Sequence, residues 1–195
     1  LGACDMAPSA AKGHKLIPKA NKEKILQILK GTQLIDPTEN SINFEQYFKN
    51  DGYRTLSKII EGKITKEAVL EEIKKSGLRG LGGAGFPTSQ KWTIVKSESG
   101  TKYVAVNGDE GEPGTFKDRF YLEKNPHKVL EGMLIAATVI GAKDCYFYIR
   151  DEYPEIRLFL NKEIKKVKLF IKSDITIHLR RGAGAYICGE ESAMI

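Results

Sequence analysis

Three stretches of this chain carry residues whose types and spacing suit chemistry. The first, residues 76–92, reads Ser-Gly-Leu-Arg-Gly-Leu-Gly-Gly-Ala-Gly-Phe-Pro-Thr-Ser-Gln-Lys-Trp. Five of the ten residues from Gly77 to Phe86 are glycine, and Gly80, Gly82 and Gly85 fit G-x-G-x-x-G. Glycines let a ligand lie directly on the backbone. Successive bare N–H groups can cradle an anion, to which Lys91 would add a full positive charge. The second stretch, residues 107–115, is Asn-Gly-Asp-Glu-Gly-Glu-Pro-Gly-Thr, with Asn107, Asp109, Glu110 and Glu112 on one flexible turn. The third, Arg-Gly-Ala-Gly-Ala-Tyr-Ile-Cys-Gly-Glu-Glu over residues 181–191, is a second glycine turn ending in two acids. Those acids would favour a helix dipole but repel a phosphate, so hydrogen bonding to a ribose or a heterocyclic N–H edge suits them better.

Each stretch also has an ordinary reading. A dinucleotide fingerprint should follow a strand and open a helix. Here a helix is predicted before the glycines, with Thr65 as N-cap, Ile64 stapling onto Val69, and Val69, Leu70 and Ile73 on one face. Pro87 follows soon after, so a plain glycine-rich surface loop is the competing reading for the first stretch. An acidic surface turn competes for the second.

The elements that would position these turns are legible from Lys102 onward. Tyr103-Val-Ala-Val106 reads as a short buried strand leading into the acid turn, and ligands bind at such strand ends in open α/β sheets. Asn125-Pro126 predicts a helix start, cap plus N1 proline. Val129, Leu130, Met133, Leu134 and Ala137 give that helix an apolar face, and Gly141 ends it. Cys145-Tyr-Phe-Tyr-Ile149 is the next strand, and Pro154 opens a helix with Ile156, Leu160, Ile164 and Val167 in register. Ile175, Ile177 and Leu179 alternate as a third strand, which leads into a glycine turn expected to open a helix. His127 and His178 are read as structural. The pattern predicts an α/β fold with a lead-in, residues 42–75, that packs on the main domain through Phe44, Tyr47, Phe48 and Tyr53. Nearer the start, Asn21 is expected to cap a helix that Gly31 stops.

Composition narrows the classes. At 195 residues, 41% hydrophobic and 29% charged, the chain suits one α/β domain with an appendage. No apolar run is long enough to span a membrane. The net charge of +6 is scattered over helix faces, which argues against nucleic acid. Cys4, Cys145 and Cys188 show no pairing logic, so reduced cytoplasmic thiols are expected, Cys4 by itself being read as buried and inert. The chain opens on Leu1 and stops at Ile195 in mid-pattern, and reads as a piece of a longer one.

Taken together and in order, the blocks 80–92, 107–119 and 181–191 resemble the flavoprotein subunit that oxidises NADH in complex I. The same module occurs in NAD-reducing hydrogenases and NAD-dependent formate dehydrogenases. The resemblance implies a Rossmann-like domain over 76–195 that holds FMN and NAD(H). By motif position, FMN would be met by Gly80, Gly82, Lys91, Asn107, Asp109, Glu110, Gly189 and Glu190. The nicotinamide nucleotide would be met by Gly83, Phe86, Glu112, Tyr186 and Glu191. Hydride transfer would then be borne by the cofactors, with no side chain as catalytic acid or base. Leu81 stands where the family commonly has arginine, which removes one cationic contact. With Asp151-Glu-Tyr-Pro154 and Leu179-Arg-Arg-Gly182, it makes the chain look most like the formate-dehydrogenase branch.

The amino-terminal block Gly2-Ala-Cys-Asp-Met-Ala-Pro8 looks like the end of a fused thioredoxin-like [2Fe-2S] unit, residues 1–35, with Cys4 as its last cluster ligand and 36–75 as linker and lead-in. Companion cysteines would precede Leu1, and the family's [4Fe-4S] cysteines would follow Ile195. The implied partners are the other components of a redox complex, either a formate dehydrogenase alpha subunit or the complex I peripheral arm. The expected location is cytoplasmic, peripheral to the inner membrane in the complex I case. Two rival readings are a simple NAD-linked dehydrogenase and a non-catalytic nucleotide-binding or assembly module.

Overall fold

The computed structural model describes residues 3–13, 15–32, 36, 38–81, 83–171 and 173–194. The amino-terminal part is a 3-10 turn, Cys4–Met6, then a small antiparallel hairpin of β1 (Ala10–Lys12) and β2 (Lys15–Ile17). Helix α1 (Lys22–Leu29) follows, capped by the Asn21 side chain, which accepts from the Lys24 N–H. Gly31, at φ +105°, ends it as expected.

The lead-in forms α2 (Phe44–Lys49), α3 (Arg54–Ile60) and α4 (Lys66–Lys75). Asn43 and Gln46 make a capping box on α2, and Thr65 caps α4. Tyr53 is fully buried, and with Leu56 it belongs to the same apolar cluster as the helices and strands beyond residue 120. Its hydroxyl meets His127 Nδ1 at 2.7 Å, and His127 Nε2 meets Glu163 at 3.0 Å. The histidine read as structural is therefore a buried pin between the lead-in and two distant helices. Nothing in the sequence near it names its partners.

After the glycine loop come α5 (Thr88–Ser97), β3 (Tyr103–Gly108), α6 (Lys117–Lys124) and α7 (Pro126–Ile140). Then β4 (Asp144–Ile149), α8 (Pro154–Ile171), β5 (Thr176–Arg181) and the short α9 (Glu191–Met194) complete the chain. The three later strands form a parallel sheet in the order β3-β4-β5. Cys145, Phe147 and Ile149 point to one face and are buried with Leu134 of α7 and with Ile156, Leu160 and Val167 of α8. Complete burial of a leucine such as Leu134 or Leu160 contributes about 2 kcal/mol. The other face is more open and carries a stack in which the Tyr146 and His178 rings lie 4.8 Å apart. Arg180 lies over Tyr146, and His178 pairs with Asp144 at 2.7 Å.

Two expectations need correction. The strand at 103–106 is not buried: it is an edge strand with Tyr103 56% exposed, Val104 and Val106 packing inward while Tyr103 and Ala105 face outward. An apolar run announces a strand but not its place in the sheet. Asn125 does not cap α7 with its side chain, because it is also the C-cap of α6, where its N–H bonds Tyr121 O at 2.8 Å. Pro126 does occupy the first helical turn. The glycine turn after β5 ends in a helix as expected, α9 from Glu191, with a 3-10 turn, Tyr186–Gly189, inside the turn.

Among the described residues no helix is long and apolar enough to cross a membrane.

Candidate functional site

The acid turn leaves the carboxyl end of β3, and the second glycine turn leaves that of β5, with β4 between them. The structure brings these two turns into contact. The Asn107 amide donates to Gly189 O at 2.8 Å, and its own side-chain oxygen accepts from the Asp109 N–H at 3.0 Å. A Cβ at Gly189 would stand 2.6 Å from Asp109 O, and one at Gly182 would stand 2.7 Å from Asp109 Oδ2. A Cβ at Gly111 would meet Tyr186 O at 3.1 Å. Glycine is required at 182 and 189 because the neighbouring turn already occupies the Cβ space.

Asp109 lies at the centre of this contact. It is 8% exposed, and its Oδ2 is buried with no hydrogen-bond partner among the described residues. Burial pushes its carboxyl up from the usual range, against the pull of the Arg150 guanidinium, while Glu152 and Glu112 push it further up. A buried acceptor left without a donor costs about 1–3 kcal/mol, and such atoms in folded proteins are usually met by water, an ion or a ligand.

Glu110 behaves differently. It is 2% exposed, and its carboxylate accepts from the Asp118 N–H at 3.0 Å, the Arg119 N–H at 3.1 Å and the Tyr153 hydroxyl at 3.2 Å. It caps the first turn of α6 from outside. Its main-chain carbonyl accepts from the Arg150 guanidinium, which also holds Glu152 at 2.9 Å. Glu190, expected at the flavin, accepts from the Ser192 N–H at 2.9 Å and from the Ser192 hydroxyl, and these bonds hold its carboxyl below the usual range. Glu112, Tyr186 and Glu191 lie on the same two turns, Tyr186 and Glu191 exposed.

The glycine loop closes on itself. Gly80 N–H donates to Phe86 O and Thr88 N–H to Leu78 O, both at 3.0 Å, and Arg79 reaches Gly85 O at 3.2 Å. Gly83 and Gly85 sit at φ +64° and +61°, where a side chain would be strained. Lys91 is exposed on α5, one turn past the loop, and Phe86 is 44% exposed. As expected, a helix and not a strand precedes the glycines. Gly82 lies outside the described residues. Helix α5 packs on α4 and α7, which ties the loop to the domain.

Cys4 is exposed, contrary to its reading as a buried thiol, because the 3-10 turn that carries it buries none of its own residues. Cys145 is buried, and its thiol is pushed up to about 12, so it is inert at neutral pH.

Sequence reasoning missed several residues that shape this site. Arg150 holds the acid turn from the end of β4, Tyr148 lies against Gly182, and Tyr153 supports Glu110. The rule that sites gather at carboxyl ends of parallel strands would have pointed to 148–153.

A family model described as the Nuo51 FMN-binding domain matches residues 73–195. The chain belongs to this family. It is 40% identical over 193 residues to the NADH-quinone oxidoreductase F subunit of Aquifex aeolicus (strain VF5), covering 94% of this chain and 44% of that one. It is 44% identical over 159 residues to the second such F subunit of Rhizobium meliloti (strain 1021), covering 76% and 38%. Among solved structures, the NAD+-reducing [NiFe]-hydrogenase in its air-oxidized state aligns over 99% of this chain and 36% of that chain. The TM-score is 0.79 at 28% identity. The chain thus spans less than half the length of the curated relatives it matches. The α/β fold is that of this family, with the parallel sheet as its centre.

Proposed function

We propose that this chain supplies the FMN- and NAD(H)-binding part of an oxidoreductase that passes electrons between NAD(H) and iron–sulfur clusters. The observation that carries the reading is the buried Asp109 Oδ2, without a hydrogen-bond partner among the described residues and held at the carboxyl ends of parallel strands by two interlocked turns. A carboxylate in such a place offers an acceptor to an N–H-bearing ring. The donor set therefore fits FMN. When bound, FMN supplies a hydride acceptor that can release two electrons singly.

The protein's residues bind and orient. Asn107 fixes the acid turn to Gly189, and Glu110 fixes it to α6. For FMN, Lys91 would add positive charge and Gly80 and Gly82 bare N–H groups to the phosphate, and Gly83 is assigned to the nicotinamide nucleotide. Phe86, Tyr186, Glu112 and Glu191 are assigned to the nicotinamide nucleotide, the rings by stacking and the acids by accepting hydroxyl protons. No side chain is assigned as proton donor or acceptor to the reacting atoms.

For the parent enzyme we favour the beta subunit of an NAD-dependent formate dehydrogenase. In this reading Cys4 is one [2Fe-2S] ligand, and [4Fe-4S] clusters lie elsewhere in the full-length protein. The branch features at 151–154 and 179–182 support it, and they form one local unit: Arg181 Nε pairs with Asp151, and the Arg157 guanidinium donates to Asp151 O at 2.7 Å. The F subunit of complex I, or the diaphorase subunit of a hydrogenase, is the alternative supported by the named relatives. The test uses the full-length gene product purified with its neighbours, assayed for NAD+ reduction with formate and for NADH-driven dye reduction. Both activities are expected. Dye reduction alone returns the parent to complex I or hydrogenase, and bound FMN with neither activity overturns the catalytic reading.

A further inference from the structure

We propose that helix α6 is a strut coupling the flavin turn to the amino-terminal segment, with Glu110, Arg119 and Asp5 as positioning residues. The inference rests on the flavin reading of the acid turn. Glu110 spends both carboxylate oxygens on the main-chain N–H groups of Asp118 and Arg119. The Arg119 side chain, 5% exposed, leaves the same turn of α6 and places one guanidinium nitrogen 2.5 and 2.6 Å from the two Asp5 oxygens. Asp5 sits beside Cys4 in the 3-10 turn, 114 residues away in sequence. The same guanidinium lies 3.5 Å from Glu123 and over the Phe116 ring, so its direction is fixed from its own helix as well. At the other end of α6, the Ile42 N–H donates to Lys124 O at 2.9 Å, and the Ser41 hydroxyl donates to Glu123 O.

One residue of the acid turn therefore sets the start of α6, and one side chain of α6 sets where the Cys4-bearing segment docks. Asp109, the residue before Glu110, is the group assigned to the flavin. Ordering the turn around a ligand then favours docking of the segment, and docking favours the ligand by the same factor. Glu110, though buried in the site, acts through α6.

The test compares apo and FMN-loaded full-length gene product by hydrogen exchange of residues 3–13, in the wild type, Asp5→Asn and Asp5→Glu. Asp5 is partly exposed, so Asp5→Asn leaves the core intact. In the wild type, FMN is expected to slow exchange in 3–13 as well as in the turn. Asp5→Asn should abolish that distant slowing and weaken FMN about tenfold, within the usual range of inter-site couplings. Asp5→Glu should restore both. FMN binding that protects the turn but not residues 3–13, or wild-type affinity in Asp5→Asn, overturns the coupling and leaves the flavin reading standing. A wild type that binds no FMN overturns both.

Discussion

A carboxylate oxygen with no partner is expensive, and Asp109 keeps one inside a contact so close that neither facing glycine could carry a methyl group. Gly189→Ala would drive a Cβ to 2.6 Å from the Asp109 carbonyl, against rigid backbone. We expect it to lower stability by about 1–3 kcal/mol, the usual scale of overpacking, and to strip FMN from the protein. Gly132→Ala is the control: it lies inside α7, with no atom of the described residues within 4 Å of the new Cβ. It should stabilise by about 0.5–1 kcal/mol. Thermal unfolding with flavin absorbance on both variants checks the pair. A Gly189→Ala protein as stable and as yellow as the wild type would mean that the two turns are not locked together.

Among the elements, α6 and the lead-in depend on contacts far apart in sequence. Glu110→Ala removes a charged acceptor from two helix N–H groups and a hydroxyl, so a loss of about 2–3 kcal/mol in denaturant unfolding is expected; a change below measurement error would show that α6 needs no outside cap. The lead-in is pinned by His127, fully buried between Tyr53 and Glu163, and burial holds its imidazole below the ordinary histidine value despite the attraction of Glu163. The unfolded chain then binds this proton first as pH falls. Stability is full above about pH 6.5 and is lost as pH drops through that value toward the lower folded one, by at most about 1.4 kcal/mol per pH unit. His127→Gln should flatten that slope between about pH 7.5 and 5.5, and an unchanged slope would assign it to other groups. Much of the element pattern was legible because it is local: Asn21 and Thr65 cap the predicted helices, and Ile156, Leu160 and Val167 form the predicted buried face. What was not legible depends on distant partners. The edge position of Tyr103, the Tyr53–His127–Glu163 pin and the second duty of Asn125 follow from packing that no spacing encodes. At the site, the three blocks were visible as composition, but the division of labour inside them was not. Asp109 and Glu110 are adjacent acids, and only the fold distinguishes the partnerless one from the helix cap.

For the whole molecule, the flavin assignment is a statement about linkage. A ligand that binds the folded chain at about a hundredfold excess over its Kd stabilises it by about 2.7 kcal/mol, so FMN should raise the unfolding midpoint, whereas a free nucleotide lacking the ring should do so less. The charge of +6 is spread over helix surfaces, many of its members in exposed pairs such as Lys75–Glu72, which contribute little. The molecule's stability rests instead on the cluster shared by the lead-in, α7, α8 and the inner sheet face. If Asp109 marks a flavin site, the flavin content of the purified full-length gene product, wild type against Asp109→Ala, shows it most directly. One FMN per wild-type chain and a folded, colourless variant are the expected results. A wild type without flavin, or an Asp109→Ala protein that retains it fully, would contradict the assignment.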